Sequence, residues 1–476
     1  MKSIEVDVAI IGAGTAGLSA FKAAIKANKK AGKATGASPS VIMIEGGPYG
    51  TTCARVGCMP SKLLIAAAEA AHTASHMDPF GVHVDGRVQI DGKAVMDRVK
   101  RERDRFVGFV LDDVENIPAE HKLRGNARFI SPGVLEVDDH TRVQAKAVVI
   151  ATGSSPSVPP PFKALGDRLV VNDDVFAWDD LPKRVVVFGP GVIGLELGQA
   201  LARLGVTVRV FGMSGSLAGL SDKQVRQTAK KIFQDEFYLD PDARVLETKR
   251  VGDEVEVRYV RLDNCECVER FDYALVATGR RPNLAALDLP SANIEVNAQG
   301  MPAFDRLTMQ VGQLPVFIAG DVNNDVPLLH EAADEGHIAG MNAANYPSVT
   351  PGKRTIGLGI VFTDPQIAMV GAGPDKLEPG AFVTGKLDFT GQGRSRVMLK
   401  NKGLMHIYAD LKTRRFVGAQ MVGPAVEHLA HLLAWSGQQG MTIDQMLAMP
   451  FYHPVIEEGL RTALRDTKAK LDAAAA

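Results

Sequence analysis

Hydrophobic and polar positions along this chain repeat one device. Near the start, Asp7-Val-Ala-Ile-Ile-Gly12-Ala-Gly14-Thr-Ala-Gly17 passes from a buried strand, Val6 to Ile11, through three spaced glycines into an alanine-rich helix ending near Asn28. A second copy, Val185-Val-Val-Phe188-Gly189-Pro-Gly191-Val-Ile-Gly194-Leu-Glu196, again reads strand, glycine turn and helix. Each copy is closed downstream by an apolar strand ending in Ala-Thr-Gly: Val148 to Thr152-Gly153 after the first, Leu275 to Gly279 after the second. Two nucleotide-binding units are therefore predicted. The chain then changes character. Runs at 386–389, 403–410 and 416–422, with helices from Ala425 and Ile443, predict an antiparallel sheet in a final α+β part.

The three glycines of the G-x-G-x-x-G pattern serve different physical ends. The first allows a tight turn, the second lets a pyrophosphate approach the backbone, and the third permits tight helix packing. One such pattern is common; two on one chain carry more weight. In the first unit the strand Val41-Ile-Met-Ile-Glu45 ends in an acid able to take both hydroxyls of an adenosine ribose, the usual FAD arrangement. Residues 29–40 between helix and strand, rich in Gly, Ser and Lys, read as a solvated loop. In the second unit Val206 to Phe211 is followed by Gly212, where an NAD-specific protein usually places Asp or Glu. No Arg pair follows to clamp a 2′-phosphate, although Ser214 and Ser216 could donate to one. NAD is the expected dinucleotide, with NADP not excluded. Arg209, inside that strand, reads as a solvent-facing charge.

At 476 residues the chain is long enough for about three domains. Its 54 Lys plus Arg balance 55 Asp plus Glu, which points to neither nucleic acid nor an anionic membrane as partner. The first strand begins almost at the initiator Met, leaving no room for a signal peptide, and no apolar run reaches spanning length, so a cytoplasmic protein is expected. Four cysteines are too few for a secreted disulfide framework.

Two of those cysteines lie in Gly50-Thr-Thr52-Cys53-Ala-Arg-Val-Gly-Cys58-Met-Pro-Ser-Lys62. Positions five apart do not share a face of an ideal helix, so bridging them requires a distorted first turn. The pair reads as a redox-active disulfide; a pair of buried thiols or part of a metal site are the alternatives. The other pair, Cys265 and Cys267, sits at a turn into a strand, where side chains one residue apart face opposite ways, and reads as incidental. The histidines lack coherent metal spacing apart from His428 and His431, three apart on a helix; no metal site is expected.

Taken in order, the two glycine motifs, Glu45, C-x4-C-x-P-S-K, the two Ala-Thr-Gly closures, Arg280-Arg-Pro-Asn283, Ala319-Gly-Asp321 and His453-Pro454 resemble the pyridine nucleotide-disulfide oxidoreductases over nearly the whole chain. Within that family the chain looks most like the lipoamide dehydrogenases. The resemblance implies an α/β fold: an FAD-binding domain at 1–155, a Rossmann-like NAD(P) domain at 156–281, a central part at 282–348 and a dimerisation domain at 349–476. It also implies a flavin cradle of Gly12, Gly14, Gly17, Glu45 and Asp321. Thr52, Lys62, Gly125 to Ala127, Thr152, Gly153 and the segment Leu328, Leu329, His330 would complete it. Gly189, Gly191, Gly194, Gly212 and Gly279 would contact the nicotinamide dinucleotide, with Val192 where some relatives carry a gating tyrosine. Cys58 would lie against the flavin, Cys53 would meet the substrate, and Lys62 would pair with Glu196. His453 would be the general base, oriented by Glu458 and delivered from the other subunit of a homodimer.

The chain departs from the usual lipoamide dehydrogenase pattern at Phe451-Tyr452-His453-Pro-Val455, where His-x-His-Pro-Thr is common. A lipoyl-bearing protein is the expected partner, with a small disulfide as the other possibility. Rival readings are an NAD(P)H-dependent reductase of glutathione or another small disulfide, a transhydrogenase, and a redox sensor without turnover. The final Lys468 to Ala476 lacks the vicinal cysteines of mercuric reductases.

Overall fold

The computed structural model of the protein describes residues 1–30 and 40–475, so most of the loop read at 29–40 lies outside the described residues. The chain forms two compact units, each assembled from three segments.

The first unit comprises Met1–Pro60, Lys100–Ser157 and Arg280–Arg354. Its seven-stranded sheet is centred on Lys2–Ile11, which pairs in parallel with Val41–Glu45 on one side and Thr141–Ile150 on the other. Val316–Ile318 also pairs in parallel with Thr141–Ile150. The central strands bury Val8, Ile10, Met43 and Val149 completely, as expected of strands covered on both faces. Helix Leu329–Asn345 packs on helix Thr15–Lys30 through glycine: a Cβ at Gly336 or Gly340 would stand 2.2 Å from the carbonyl oxygen of Ala16 or Ala20. Backbone touches backbone there, and no larger residue fits.

The second unit comprises Ser61–Val99, Val158–Gly279 and Thr355–Ala476. It contains a five-stranded parallel sheet around Arg184–Phe188, a three-stranded antiparallel sheet over 244–271, and a five-stranded antiparallel sheet with Leu404–Asp410 and Phe416–Gly423 at its centre. The residues 61–99, which the sequence reading assigns to the first domain, group here because Leu64, Ala68 and Met96 enter one core with Val187, Leu195 and Leu201. Among the described residues no helix is long and apolar enough to cross a membrane.

Candidate active site

The cysteine pair sits where a helix is interrupted. Thr52–Val56 forms a short helix, Gly57 leaves helical geometry at φ −129°, ψ −115°, and a second helix runs over Cys58–Ser75. Thr51, at φ 56°, caps the first helix by accepting from the Ala54 amide at 3.3 Å. A Cβ on Gly57 would lie 3.1 Å from the Thr52 carbonyl oxygen, tighter than ordinary contact, so glycine eases the break. The break brings Cys53 and Cys58 to a Cα separation of 4.8 Å, and they are joined as a disulfide. Cys58 is exposed and Cys53 half-buried. Pro60 falls in the first turn of the second helix, where no backbone donor is lost.

Lys62 follows Cys58 by one turn of the same helix. Its ammonium donates to Glu196 Oε2 at 2.7 Å and stands 4.4 Å over the Phe362 ring. Glu196 is buried, and every bond it accepts is accounted for: Ser61 Oγ at 2.9 Å and Lys62 on Oε2, the Phe362 amide at 2.9 Å on Oε1. Three donors converge on this buried carboxylate, one of them the Lys62 ammonium, which the pairing fixes in place. The expected Lys62–Glu196 pair is thus present; Ser61 and Phe362 are additions that sequence spacing did not reveal.

The two glycine turns are geometric duplicates. Gly12 and Gly189 both have φ +107°, and a Cβ on either would lie 2.3 Å from a carbonyl oxygen, that of Ala151 or Ala277. A Cβ on Gly17 or Gly194 would lie 1.9 Å from the carbonyl oxygen of Gly12 or Gly189. At Gly14 and Gly191, by contrast, a Cβ would meet nothing within 4 Å. The first and third glycines therefore close the turn, whereas the second leaves a concavity over the start of a helix, where a pyrophosphate fits. Both turns fit a dinucleotide.

Around the first turn, Glu45 accepts from the Ala13 and Gly47 amides, each at 2.7 Å. Asp321 opens a short helical turn and accepts from Ser154 Oγ at 2.7 Å; Arg280 in turn donates to Ser154 Oγ at 2.8 Å. Thr152 donates to the Asn283 carbonyl at 2.7 Å. Gly125 is at φ +138°, Ala127 is buried at the start of a strand, and Gly153 is at φ +67°. Leu328 precedes helix Leu329–Asn345 at its N-terminal boundary, with Leu329 and His330 exposed in the first turn. Behind this region Glu335, fully buried, accepts from the Gly320 amide at 2.8 Å, Asn323 at 2.7 Å and Arg354 at 2.8 Å. Burial pushes its carboxyl above the usual range against those bonds. Of these partners Ala13, Arg280, Asn283 and Gly320 lay in motifs read from the sequence, whereas Gly47, Ser154, Asn323 and Arg354 did not.

Around the second turn, Gly279 is at φ +113° with open space beside it, and Val192 begins the helix half-exposed. Gly212 differs from the expectation of a simple missing acid: a Cβ there would lie 2.6 Å from Pro190 Cγ and from the Pro241 carbonyl oxygen. Arg209 does not face solvent freely, a correction to the sequence reading. It pairs with Glu269 at 3.1 Å and lies over the Tyr238 ring, because the neighbouring antiparallel sheet covers that strand.

His453 is 80% exposed, and its Nδ1 lies 3.0 Å from each Glu458 carboxylate oxygen. Glu458 opens the last helix and also accepts from the Val455 amide at 3.3 Å. The His453 bond holds the Glu458 carboxyl below its ordinary range. The Nδ1 contact leaves Nε2 to face outward, the arrangement of a base with its orienting acid. Cys265 and Cys267 are free thiols, and no group of three or more metal-ligating side chains occurs among the described residues.

Duplicate dinucleotide cradles and a cysteine pair closed across a helix break are the equipment of a flavoprotein disulfide oxidoreductase. The chain belongs to the pyridine nucleotide-disulphide oxidoreductase family: that family's model matches residues 6–336, and its dimerisation domain matches 358–464. Members bind FAD and NAD(P). Similar curated proteins include dihydrolipoyl dehydrogenase 3 of Haloarcula marismortui, 28% identical over 98% of this chain and 97% of that protein. Dihydrolipoyl dehydrogenase 3 of Pseudomonas putida is 29% identical over 96% and 97% of the two chains. In fold the chain resembles LpdA from Mycobacterium tuberculosis, at a TM-score of 0.80 and 24% identity over 97% and 99% of the two chains. It also resembles the HOCl-induced flavoprotein disulfide reductase RclA from Escherichia coli, at 0.79 and 22% over 96% and 99%.

Proposed function

We propose that the protein is a dihydrolipoamide dehydrogenase, oxidising a lipoyl dithiol to its disulfide with a nicotinamide dinucleotide as final acceptor. The observation that carries this reading is the disulfide closed across the Gly57 break, one turn before the Lys62–Glu196 pair. Similarity along the full chain to proteins named dihydrolipoyl dehydrogenase supports the substrate. Gly12, Gly14, Gly17, Glu45 and Asp321 would hold FAD, with Thr52, Gly125 to Ala127, Thr152, Gly153 and Leu328 to His330 around it. Gly189, Gly191, Gly194, Gly212 and Gly279 would receive the nicotinamide dinucleotide. Bound flavin supplies two-electron exchange between a thiolate and a nicotinamide.

The chain's own part is thiol chemistry. His453 Nε2 takes a proton from one substrate thiol while Glu458 holds the ring through Nδ1. The thiolate attacks Cys53 Sγ; the Cys53–Cys58 bond breaks and Cys58 leaves as thiolate. Lys62, fixed by Glu196, keeps a cation one turn from that thiolate and stabilises its charge. The second substrate thiolate then attacks the substrate sulfur of the mixed disulfide, releasing Cys53 and the oxidised substrate. Two electrons have passed to the cysteine pair; one proton rests on His453 and the other goes to Cys53 or solvent. Two copies would pair through the dimerisation domain, each lending His453 to the other's disulfide. A lipoyl-bearing protein would be the physiological partner.

Steady-state rates with dihydrolipoamide, and with glutathione disulfide in the reverse sense, test the reading. Turnover of dihydrolipoamide that disappears in Cys53→Ser is expected. Inertness toward dihydrolipoamide with rapid reduction of glutathione disulfide would transfer the chain to the small-disulfide reductases, and inertness toward both would favour a sensor.

A further inference from the structure

The two nucleotide turns superimpose position by position. The Gly12 amide donates to the Ile44 carbonyl and the Gly189 amide to the Phe211 carbonyl, each at 2.8 Å; the Ala151 and Ala277 amides donate to Ile11 and Phe188, each at 2.8 Å. Glu45 therefore corresponds to Gly212, and Ala13 to Pro190. In the first unit the two corresponding residues touch: the Ala13 amide donates to Glu45 Oε2 at 2.7 Å, which aims the carboxylate at the turn. In the second unit the same two positions have changed together. Pro190 has no amide hydrogen to hold a carboxylate. Its ring also helps to fill the space: a Cβ on Gly212 would stand 2.6 and 2.8 Å from Pro190 Cγ and Cδ, and 2.6 Å from the Pro241 carbonyl oxygen.

The loss of the acid is therefore built into the turn. Residues beyond Gly212 replace it with nothing of either sign: Met213, Ser214, Gly215 and Ser216 are uncharged, and Ser214 Oγ donates to the Met213 carbonyl at 2.6 Å. The Ala243 amide donates to the Gly212 carbonyl at 3.0 Å, and Ala243 is flanked by the exposed Asp242 and Arg244, one charge of each sign. A carboxylate at this position discriminates by bonding the ribose 2′-hydroxyl and by repelling a 2′-phosphate. We propose that Pro190 and Gly212 together form a specificity element that removes both effects, so that the second cradle accepts dinucleotides with and without a 2′-phosphate, NAD(H) and NADP(H) alike. The inference rests on the reading of that cradle as the nicotinamide dinucleotide site.

Calorimetric titration of the FAD-loaded protein with NADH, NADPH, AMP and adenosine 2′,5′-bisphosphate tests it without any dithiol. The wild-type protein is expected to bind the members of each pair within about tenfold of one another, one charge-assisted bond being worth about that factor or more. Gly212→Asp alone is expected to weaken both NADH and NADPH, because the new side chain strikes both the Pro190 ring and the Pro241 carbonyl oxygen. Pro190→Ala with Gly212→Asp restores the amide and removes the ring, leaving only the Pro241 carbonyl oxygen to yield, and is expected to favour NADH by about thirtyfold or more. A wild-type preference beyond about a hundredfold either way would overturn the proposal, as would a Gly212→Asp single variant that favours NADH as strongly as the double variant. Should the single variant not fold, the wild-type ratio and the double variant still decide. Binding of both dinucleotides by a protein inert to dihydrolipoamide would uphold this inference and defeat the proposed substrate; turnover with strict NAD binding would do the reverse.

Discussion

At the scale of single residues, the catalytic reading turns on how His453 is held. Both Glu458 oxygens stand 3.0 Å from Nδ1 and His453 is 80% exposed, so the ring is oriented chiefly by Glu458, itself half-buried and held by the Val455 amide. Glu458→Gln keeps a hydrogen-bond acceptor but loses the charge. It is expected to lower kcat for dihydrolipoamide by about tenfold to a hundredfold with KM little changed, below the 10²–10⁴ that removal of a general base costs. A fall confined to KM would give Glu458 a binding role instead. Single residues were legible from the sequence where their chemistry is local. His453 and Glu458 lie five apart, and Cys53 and Cys58 share one motif. Arg209 was not, because its partner Glu269 is sixty positions away on another sheet, and Gly212 looked like a gap until the Pro190 ring was seen beside it.

At the scale of elements, the turn between strand and helix separates packing from binding. Gly17→Ala places a methyl 1.9 Å from the Gly12 carbonyl oxygen and is expected to destabilise the first unit by about 3 kcal/mol, read by denaturant unfolding. Gly14→Ala meets nothing and is expected to fold normally while losing flavin, read by absorbance of the purified protein. Equal effects of the two substitutions would contradict the division of labour.

A second element-scale device was illegible in the sequence. Asp222 caps helix Lys223–Gln234 through the Gln224 and Val225 amides, and accepts from His406 Nδ1 at 2.7 Å and Tyr408 at 2.8 Å, on a strand more than 180 residues away. Burial raises its pKa, but the His406 and Val225 bonds outweigh burial and hold it at about 2. A depressed carboxyl stabilises the fold fully above its unfolded value, near 4, and this stabilisation is lost as pH falls toward about 2. Asp222→Ala is therefore expected to lower stability at neutral pH by about 2 kcal/mol and to flatten the decline between pH 4 and 2, measured by urea unfolding across pH. A parallel decline in both proteins would remove Asp222 from the acid limb.

At the scale of the whole molecule, alternating motifs made the duplicated nucleotide fold and the final α+β part legible. The allegiance of 61–99 was hidden, since only tertiary burial of Leu64, Ala68 and Met96 reveals which core they join. The dimerisation domain carries large exposed apolar side chains, Trp435 at 66% and Tyr452 at 79%, consistent with a surface that another chain covers. If each site takes its cysteines from one subunit and His453 from the other, mixing inactive Cys58→Ser and His453→Gln copies creates heterodimers with one intact site. Recovery of dihydrolipoamide turnover on co-refolding or co-expression is expected. No recovery in demonstrated heterodimers would place cysteines and base on the same chain.

The most direct test of the central claim is a thiol count. The protein is exposed anaerobically to one equivalent of dihydrolipoamide, quenched with an alkylating agent and mapped by mass spectrometry. The account predicts that Cys53 and Cys58 pass together from blocked to alkylated, with Cys265 and Cys267 equally labelled before and after. A dithiol oxidised at the wild-type rate while Cys53 and Cys58 stay blocked, or by a protein carrying Cys53→Ser, would contradict it.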